Sequence, residues 1–179
     1  MTEKTTYKEL SLDDLHPQAL DHFNRFQETT KAWAIRQGEL TLEDNSFIDD
    51  WDIEKKKAVI KSLKHCLAIG GIVLGAYQNN NLIGFANVEG TLFGSANQYL
   101  ELSYIHVSNS IRKTGIGRKL FMLCCKKAKL KDAKKLYIST HPTQESQAFY
   151  KAMGCVLTQE INPEIFRREP LDIQLEITL

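Results

Sequence analysis

Residues 99–140 constrain the fold more than any other part of this chain. Tyr99 to Val107 reads Tyr-Leu-Glu-Leu-Ser-Tyr-Ile-His-Val, apolar at nearly all positions of both faces, the pattern of a central strand covered on either side. After Ser108-Asn109-Ser110-Ile111 come Arg112-Lys113-Thr114-Gly115-Ile116-Gly117-Arg118 and a helical pattern in which Ile116, Leu120, Leu123, Cys124 and Leu130 mark one face. Leu136 to Thr140 is a short strand. A strand, a helix and a strand in so short a span predict a parallel pair joined by a right-handed crossover.

Around this unit the remaining elements are read from periodicity and punctuation. Thr5 to Leu10 alternates weakly as a first strand. Leu20, Phe23, Phe26, Thr30 and Trp33 recur at three- and four-residue steps, which predicts a helix between about Leu15 and Gln37 stopped by Gly38. Residues 39–53 read as irregular and acidic, followed by a helix from about Ile53 to Ile69 that Gly70-Gly71 ends. Ile72 to Tyr77 and Leu82 to Val88 are β-rich runs separated by Gln78-Asn79-Asn80-Asn81, a hairpin signal. Glu145 to Met153 is predicted helical and ended by Gly154, Cys155 to Glu160 a strand, and Asp172 to Thr178 an alternating terminal strand. The sum is one α/β domain over residues 1–179 with a mixed sheet.

Composition removes several function classes. The chain has 179 residues and a net charge of +1, so neither nucleic acid nor an anionic membrane is expected as partner. The longest apolar stretch, Leu67 to Tyr77, is broken by Gly70, Gly71 and Gly75 and falls short of the ~20 residues of a membrane span. Met-Thr-Glu-Lys-Thr-Thr-Tyr has no apolar core of a signal peptide, so a cytoplasmic location is expected. Cys66, Cys124, Cys125 and Cys155 lack C-x-x-C spacing and read as reduced core residues, with no metal site expected.

Gly115 and Gly117 remove side chains from the turn, so backbone N–H groups converge on an anion at the start of the next helix, with Arg112, Lys113 and Arg118 adding charge. The bland alternative is a close strand-to-helix turn with solvated basic residues. The turn is not a Walker loop, and Leu120 stands where a dinucleotide fingerprint has its third glycine.

Arg-x-x-Gly-x-Gly at 112–117 after an apolar strand resembles the acetyl-CoA-binding motif of the GNAT superfamily of N-acetyltransferases. Thr143 to Cys155, Thr-Gln-Glu-Ser-Gln-Ala-Phe-Tyr-Lys-Ala-Met-Gly-Cys, is similar to that family's N-x-x-A-x-x-F/L-Y-x-x-x-G-F/C pattern, departing from it at Thr143 and Ser146. The order of elements resembles the family along nearly the whole chain. The resemblance implies a single-domain α/β fold: a mixed, mostly antiparallel sheet of about six to seven strands with a central parallel pair, flanked by about four helices. It also implies an acetyl-CoA-dependent N-acetyltransferase acting by direct attack on a small-molecule or peptide amine, with no metal; a homodimer is compatible with it.

Residue by residue, the resemblance implies that the backbone of Lys113, Thr114, Gly115, Ile116, Gly117 and Arg118 holds the pyrophosphate. Ile105, His106 and Val107 then meet the pantetheine arm, Thr143 replaces an expected asparagine beside it, and Tyr150 protonates the departing thiolate. Glu101 is a carboxylate in an interior strand, costly to bury unpaired. The resemblance implies a general base there, eleven positions before Arg112; a structural carboxylate paired with a lysine or capped by backbone is the alternative, and Glu89 is the runner-up base. His106 offers either a base or its backbone, and an oxyanion donor is expected among the N–H groups of Ile105 to Val107. Asp44, Asp49, Asp50 and Asp52, with Trp33, Phe47 and Trp51, form either an amine-binding wall or a solvated loop. The lysines 126, 127, 129, 131, 134 and 135 read as surface cover. The rivals in other classes are a non-catalytic acyl-CoA-binding module and a nucleotide-binding α/β domain.

Overall fold

The computed structural model describes residues 4–179. Its elements are β1 (Thr6–Glu9), β2 (Phe26–Arg36), β3 (Glu39–Asp50), α1 (Ile53–Ala68), β4 (Ile72–Gln78), β5 (Asn81–Val88), β6 (Tyr99–Leu102), β7 (Ile105–Val107), α2 (Ile116–Leu130), β8 (Lys135–Thr140), α3 (Gln144–Ala152), β9 (Val156–Leu157), α4 (Pro163–Arg168) and β10 (Ile173–Thr178). One sheet runs β1-β4-β5-β7 and a second β6-β8-β10-β9, while β2 and β3 pair as a separate ribbon. Every pairing is antiparallel except β6 with β8, the parallel pair that the crossover through α2 requires. Taken as one kinked strand, β6 and β7 join the two sheets into a mixed sheet of seven strands.

Three layers of packing hold this arrangement. On one face, Ile116, Leu120, Phe121 and Cys124 of α2 and Tyr150 of α3 close over Leu100, Leu102, Leu136 and Ile138. On the other, Val59, Ile60 and Leu63 of α1 and the turn residues Leu15, Leu20 and Phe23 cover Val73 and Phe85. Farther along that face, Ile165 of α4 seals Tyr99 and Tyr137. Each fully buried aliphatic or aromatic side chain contributes roughly 1.5–3 kcal/mol by leaving water. Gly84 lets α2 approach β5, since a Cβ there would stand 3.2 Å from Ile116 and Leu120.

The N-terminal third departs from its sequence pattern. No helix spans residues 15–37; a chain of single turns reaches Phe23 through backbone bonds such as Ala19 N–H to the His16 carbonyl and Phe23 N–H to the Leu20 carbonyl. Pro17 provides no N–H and disfavours helix before it, so the turns do not propagate, although Leu20 and Phe23 are buried as the pattern required. The β-branched and aromatic stretch that follows is β2. Gly38, read as a helix stop, is instead the second residue of a two-residue hairpin turn: Gln37 and Gly38 both have positive φ, 51° and 85°. The acidic stretch 39–53 is mostly strand β3, its Asp44 and Asp50 exposed.

Elsewhere the reading and the structure agree more closely. Asp52 caps α1 by accepting from Lys55 N–H at 2.7 Å, and Asn79 and Asn80 form the β4–β5 turn with positive φ. The strand read over Cys155–Glu160 shrinks to β9, and the segment after it holds the unread α4, capped by Asn162 with Pro163 in its first turn.

Candidate active site

A wedge opens where the central strand breaks. Parallel pairing of β6 with β8 ends at Leu102 opposite Ile138, and β8 continues to Thr140 with β10 on its far side. Meanwhile β7 turns to β5, pairing Ile105 with Ala86 and Val107 with Gly84. The break is a bulge held by Asn87. Its main chain donates to the Tyr104 carbonyl at 3.0 Å, its Oδ1 accepts from Tyr104 N–H at 2.8 Å, and Glu89 N–H reaches the Glu101 carbonyl at 2.8 Å. Three steps along the kinked strand thus face two along β5. Beyond it, Ser108 N–H bonds Ile83 and His106 lies opposite Phe85, so the alternation of an antiparallel ladder turns the N–H and C=O of Ile105 and Val107 away from β5 and into the wedge. The backbone of His106 faces Phe85 instead.

The glycine turn forms the head of this wedge. Lys113 and Gly115 are left-handed, with φ 64° and 90°, and Gly115 is the N-cap of α2. No side chain caps this helix, so its first N–H groups, including Ile116, Gly117 and Arg118, are left to an anion. The Ile116 side chain is buried in the core, and Thr114 Oγ1 donates to the Ile111 carbonyl at 2.7 Å, so these two offer main chain only. Nothing lies within 4 Å of a Cβ built on Gly115. Gly117 sits between Val107 and Phe149, which brings the helix start against β7. Arg112 folds back, its Nε donating to the Val107 carbonyl at 3.1 Å.

Tyr150 and Glu101 stand on opposite faces of the sheet. Tyr150 is buried against Phe121 and Phe149, with the Thr140 side chain within hydrogen-bonding reach of its hydroxyl. Burial drives its pKa far above the ordinary phenol value, so the hydroxyl keeps its proton. Glu101, 8% exposed, is paired not with a lysine but with Arg168 of α4, Nη2 to Oε1 at 2.5 Å. Burial nevertheless raises its pKa; Arg168 opposes and Glu89 reinforces the rise. Glu89 accepts from Asn87 Nδ2 at 2.8 Å and Ser103 Oγ at 2.5 Å. The His106 ring packs on Trp51 and Phe85 on this same face, and burial holds it well below the usual imidazole value, hence neutral.

Against this geometry the comparisons are decisive on family. The model of the acetyltransferase (GNAT) family matches residues 31–155, more than half of the chain. This chain belongs to the GNAT acetyltransferase family. No match was found among curated proteins. Among solved structures the GNAT chain resembles nourseothricin acetyltransferase, with TM-score 0.71, 16% identity, and 97% of this chain and 98% of that one covered. It also resembles a putative streptothricin acetyltransferase from Bacillus anthracis in complex with acetyl coenzyme A, with TM-score 0.66, 17% identity and coverage of 100% and 99%. The PaiA N-acetyltransferase of Thermoplasma acidophilum in complex with coenzyme A aligns at TM-score 0.61 with 14% identity over 98% and 99%.

In this acetyltransferase the β2–β3 ribbon bridges the wedge. Asn24 ties it to the turn after β7, through Asn109 N–H to its carbonyl at 2.8 Å and its own N–H to Ser108 Oγ at 3.0 Å. Trp33 N–H ties it to the Pro142 carbonyl at 2.7 Å beyond β8, where Ala32 also bridges Thr143. The Thr143 hydroxyl accepts from Ser146 N–H at 3.1 Å to cap α3, bonds Ser146 Oγ at 2.9 Å and accepts from Gln27 Nε2 of β2 at 3.5 Å. Of the acidic wall, Asp49 turns inward to Arg25 at 2.8 Å, Phe47 packs on His141, and Trp51 on His106. Arg25 Nε and Thr29 Oγ1 on the ribbon are buried without a hydrogen-bond partner among the described residues. Sequence reasoning missed Arg25, Asn87 and Arg168. Only Asn87 left a signal, a polar residue inside an apolar strand.

Proposed function

We propose that this protein transfers the acetyl group of acetyl-CoA to a primary amine by direct attack. The observation that carries the reading is the wedge itself, headed by an uncapped helix N-terminus and lined by main chain of Ile105 and Val107 that is turned away from β5. The residues present fit the co-substrate. N–H groups from Lys113 to Arg118 suit its pyrophosphate, the outward edge of β7 suits the amides of its pantetheine arm, and the buried unpaired atoms of Arg25 and Thr29 suit a polar ligand beneath the ribbon.

Holding amine and thioester together supplies a large share of the rate, because the encounter becomes intramolecular. N–H groups of β7 stabilise the developing oxyanion. Tyr150 of α3, protonated, delivers a proton to the departing sulfur. Glu101, with Oε1 held by Arg168, supplies the negative charge that draws an ammonium group to the opposite face. The buried thiols Cys66 and Cys155, with pKa values pushed to about 12, are poor nucleophiles, in keeping with direct transfer.

The test is thiol release from acetyl-CoA across a panel of amines, with nourseothricin included because neighbours bear that name and streptothricin's. Tyr150→Phe is expected to lower kcat by about 10²-fold or more while acetyl-CoA still binds. Tight coenzyme binding without turnover on any amine would turn the reading toward a binding module, and failure to bind coenzyme A would end it.

A further inference from the structure

On the face opposite α2 and α3, a second carboxylate, Asp172, stands at the end of β8, across that strand from β6. Glu101 stands at the level of Tyr137, one pair before the parallel ladder ends. Ser139, two residues on and on the same face, is already beyond the last pair, inside the opening. Its Oγ donates to Asp172 Oδ2 at 3.1 Å and accepts from Gln174 Nε2 at 2.9 Å. The next residue, Thr140, points to the other face and meets the Tyr150 hydroxyl, while its backbone partner on β10 is Ile173, the neighbour of Asp172. Asp172 is therefore bonded to Ser139, and Tyr150 lies beside the next residue of the same strand end, on the opposite side of the sheet.

We propose that Asp172 is the proton acceptor for the attacking amine, paired across the Ser139–Thr140 strand end with Tyr150 as proton donor. This rests on the acetyl-transfer reading above. The ammonium of the acceptor gives one proton to the Asp172 carboxylate, and the neutral nitrogen forms the C–N bond with the thioester carbon. As the C–S bond breaks, Tyr150 gives its proton to sulfur, and the second nitrogen proton returns through water to the Tyr150 oxygen. The products are an N-acetyl amide and free thiol, with one proton left on Asp172 for release to solvent.

The charges around Asp172 suit this role. Burial raises its pKa from 3.8 to about 6, with Glu169 adding to the rise, while the Ser139 hydrogen bond and Arg168 oppose it. A carboxyl group of this strength is ionised at neutral pH and a better base than an ordinary aspartate. Half-buried, it is open to substrate, whereas Oε1 of Glu101 is engaged by Arg168. Gln174, whose Oε1 is buried without a partner among the described residues, holds Ser139 in place beneath the carboxylate.

The test has two arms. With an amine acetylated by the native enzyme, kcat/KM should rise with pH through about 6, because the base must lose its proton first. Asp172→Asn should lower kcat/KM by about 10²-fold or more and abolish that limb. It should leave the thermal shift produced by acetyl-CoA in place; Glu101→Gln should weaken turnover yet keep the limb. The second arm needs no turnover. Carbon-13 NMR of aspartate-labelled protein should show a carboxyl group titrating well above the ordinary range, absent in Asp172→Asn and perturbed by acetyl-CoA. An Asp172→Asn enzyme with full activity and an intact limb, or an Asp172 carboxyl that titrates normally and ignores acetyl-CoA, overturns the proposal. Absence of any acetylated amine beside a normal second arm would instead sink the acetyl-transfer reading.

Discussion

At the scale of single residues, the two glycines of the turn do different work. Gly115 is left-handed, and a Cβ there would meet nothing within 4 Å, so its substitution costs backbone conformation rather than space. Gly117 has ordinary φ, and a Cβ there would sit 3.5 Å from Phe149, a normal contact. Gly115→Ala is therefore expected to lose about 1 kcal/mol of stability in urea unfolding. Gly117→Ala should fold as the native chain does but bind acetyl-CoA more weakly, because its methyl group stands where the main chain would approach the pyrophosphate; calorimetry on both variants separates the two effects. Asn87 is the third decisive residue. It engages Tyr104 twice, donating its main-chain N–H to the carbonyl and accepting the Tyr104 N–H at Oδ1, and the side-chain acceptor satisfies the strand where it breaks.

At the scale of elements, the ribbon is the least typical part. Its inner half is docked at both sides of the wedge through Asn24 and Trp33, whereas its outer half, around Ile35, Leu40 and the Gln37-Gly38 turn, is exposed. Local opening follows burial and hydrogen bonding, so the two halves should exchange amide hydrogens at different rates. Hydrogen exchange is expected to show protection at Trp33, fast exchange across residues 35–40, and slower exchange of the docked half when acetyl-CoA is added. Uniform exchange along the ribbon would mean that it does not close the wedge. The helical reading of this region failed for a definite reason. Leu20, Phe23, Phe26, Thr30 and Trp33 do match a helical stripe, but the first two belong to turns and the rest to a strand that pairs with β3 and brings only Trp33 against the core.

At the scale of the whole molecule, core clusters on both faces of the sheet underlie the site, and the thiols report on them. Burial raises the pKa of all four cysteines, Cys125 to about 11 and Cys155 to about 12, and none is paired in a disulfide. Thiol titration at pH 8 should find them slow in the native protein, with half-buried Cys125 leading, and all four reactive on denaturation. Among the described residues no helix is long and apolar enough to cross a membrane. The parallel pair, the glycine turn, α1, the asparagine hairpin and the Phe-Tyr helix were legible from the chain because each is written in local terms: a two- or 3.6-residue period, a cap, a residue tolerating positive φ. Other features depend on contacts between segments far apart in sequence. The division of one apolar run into β6 and β7 needs Asn87 from another strand, and the ribbon needs Pro142. The pairing of Glu101 with Arg168 crosses 67 positions, and that of Ser139 with Asp172 crosses 33. Local chemistry placed the glycine turn and the tyrosine; the carboxylates of the opposite face met their partners only when the tertiary fold brought Arg168 of α4 to Glu101 and Asp172 to Ser139.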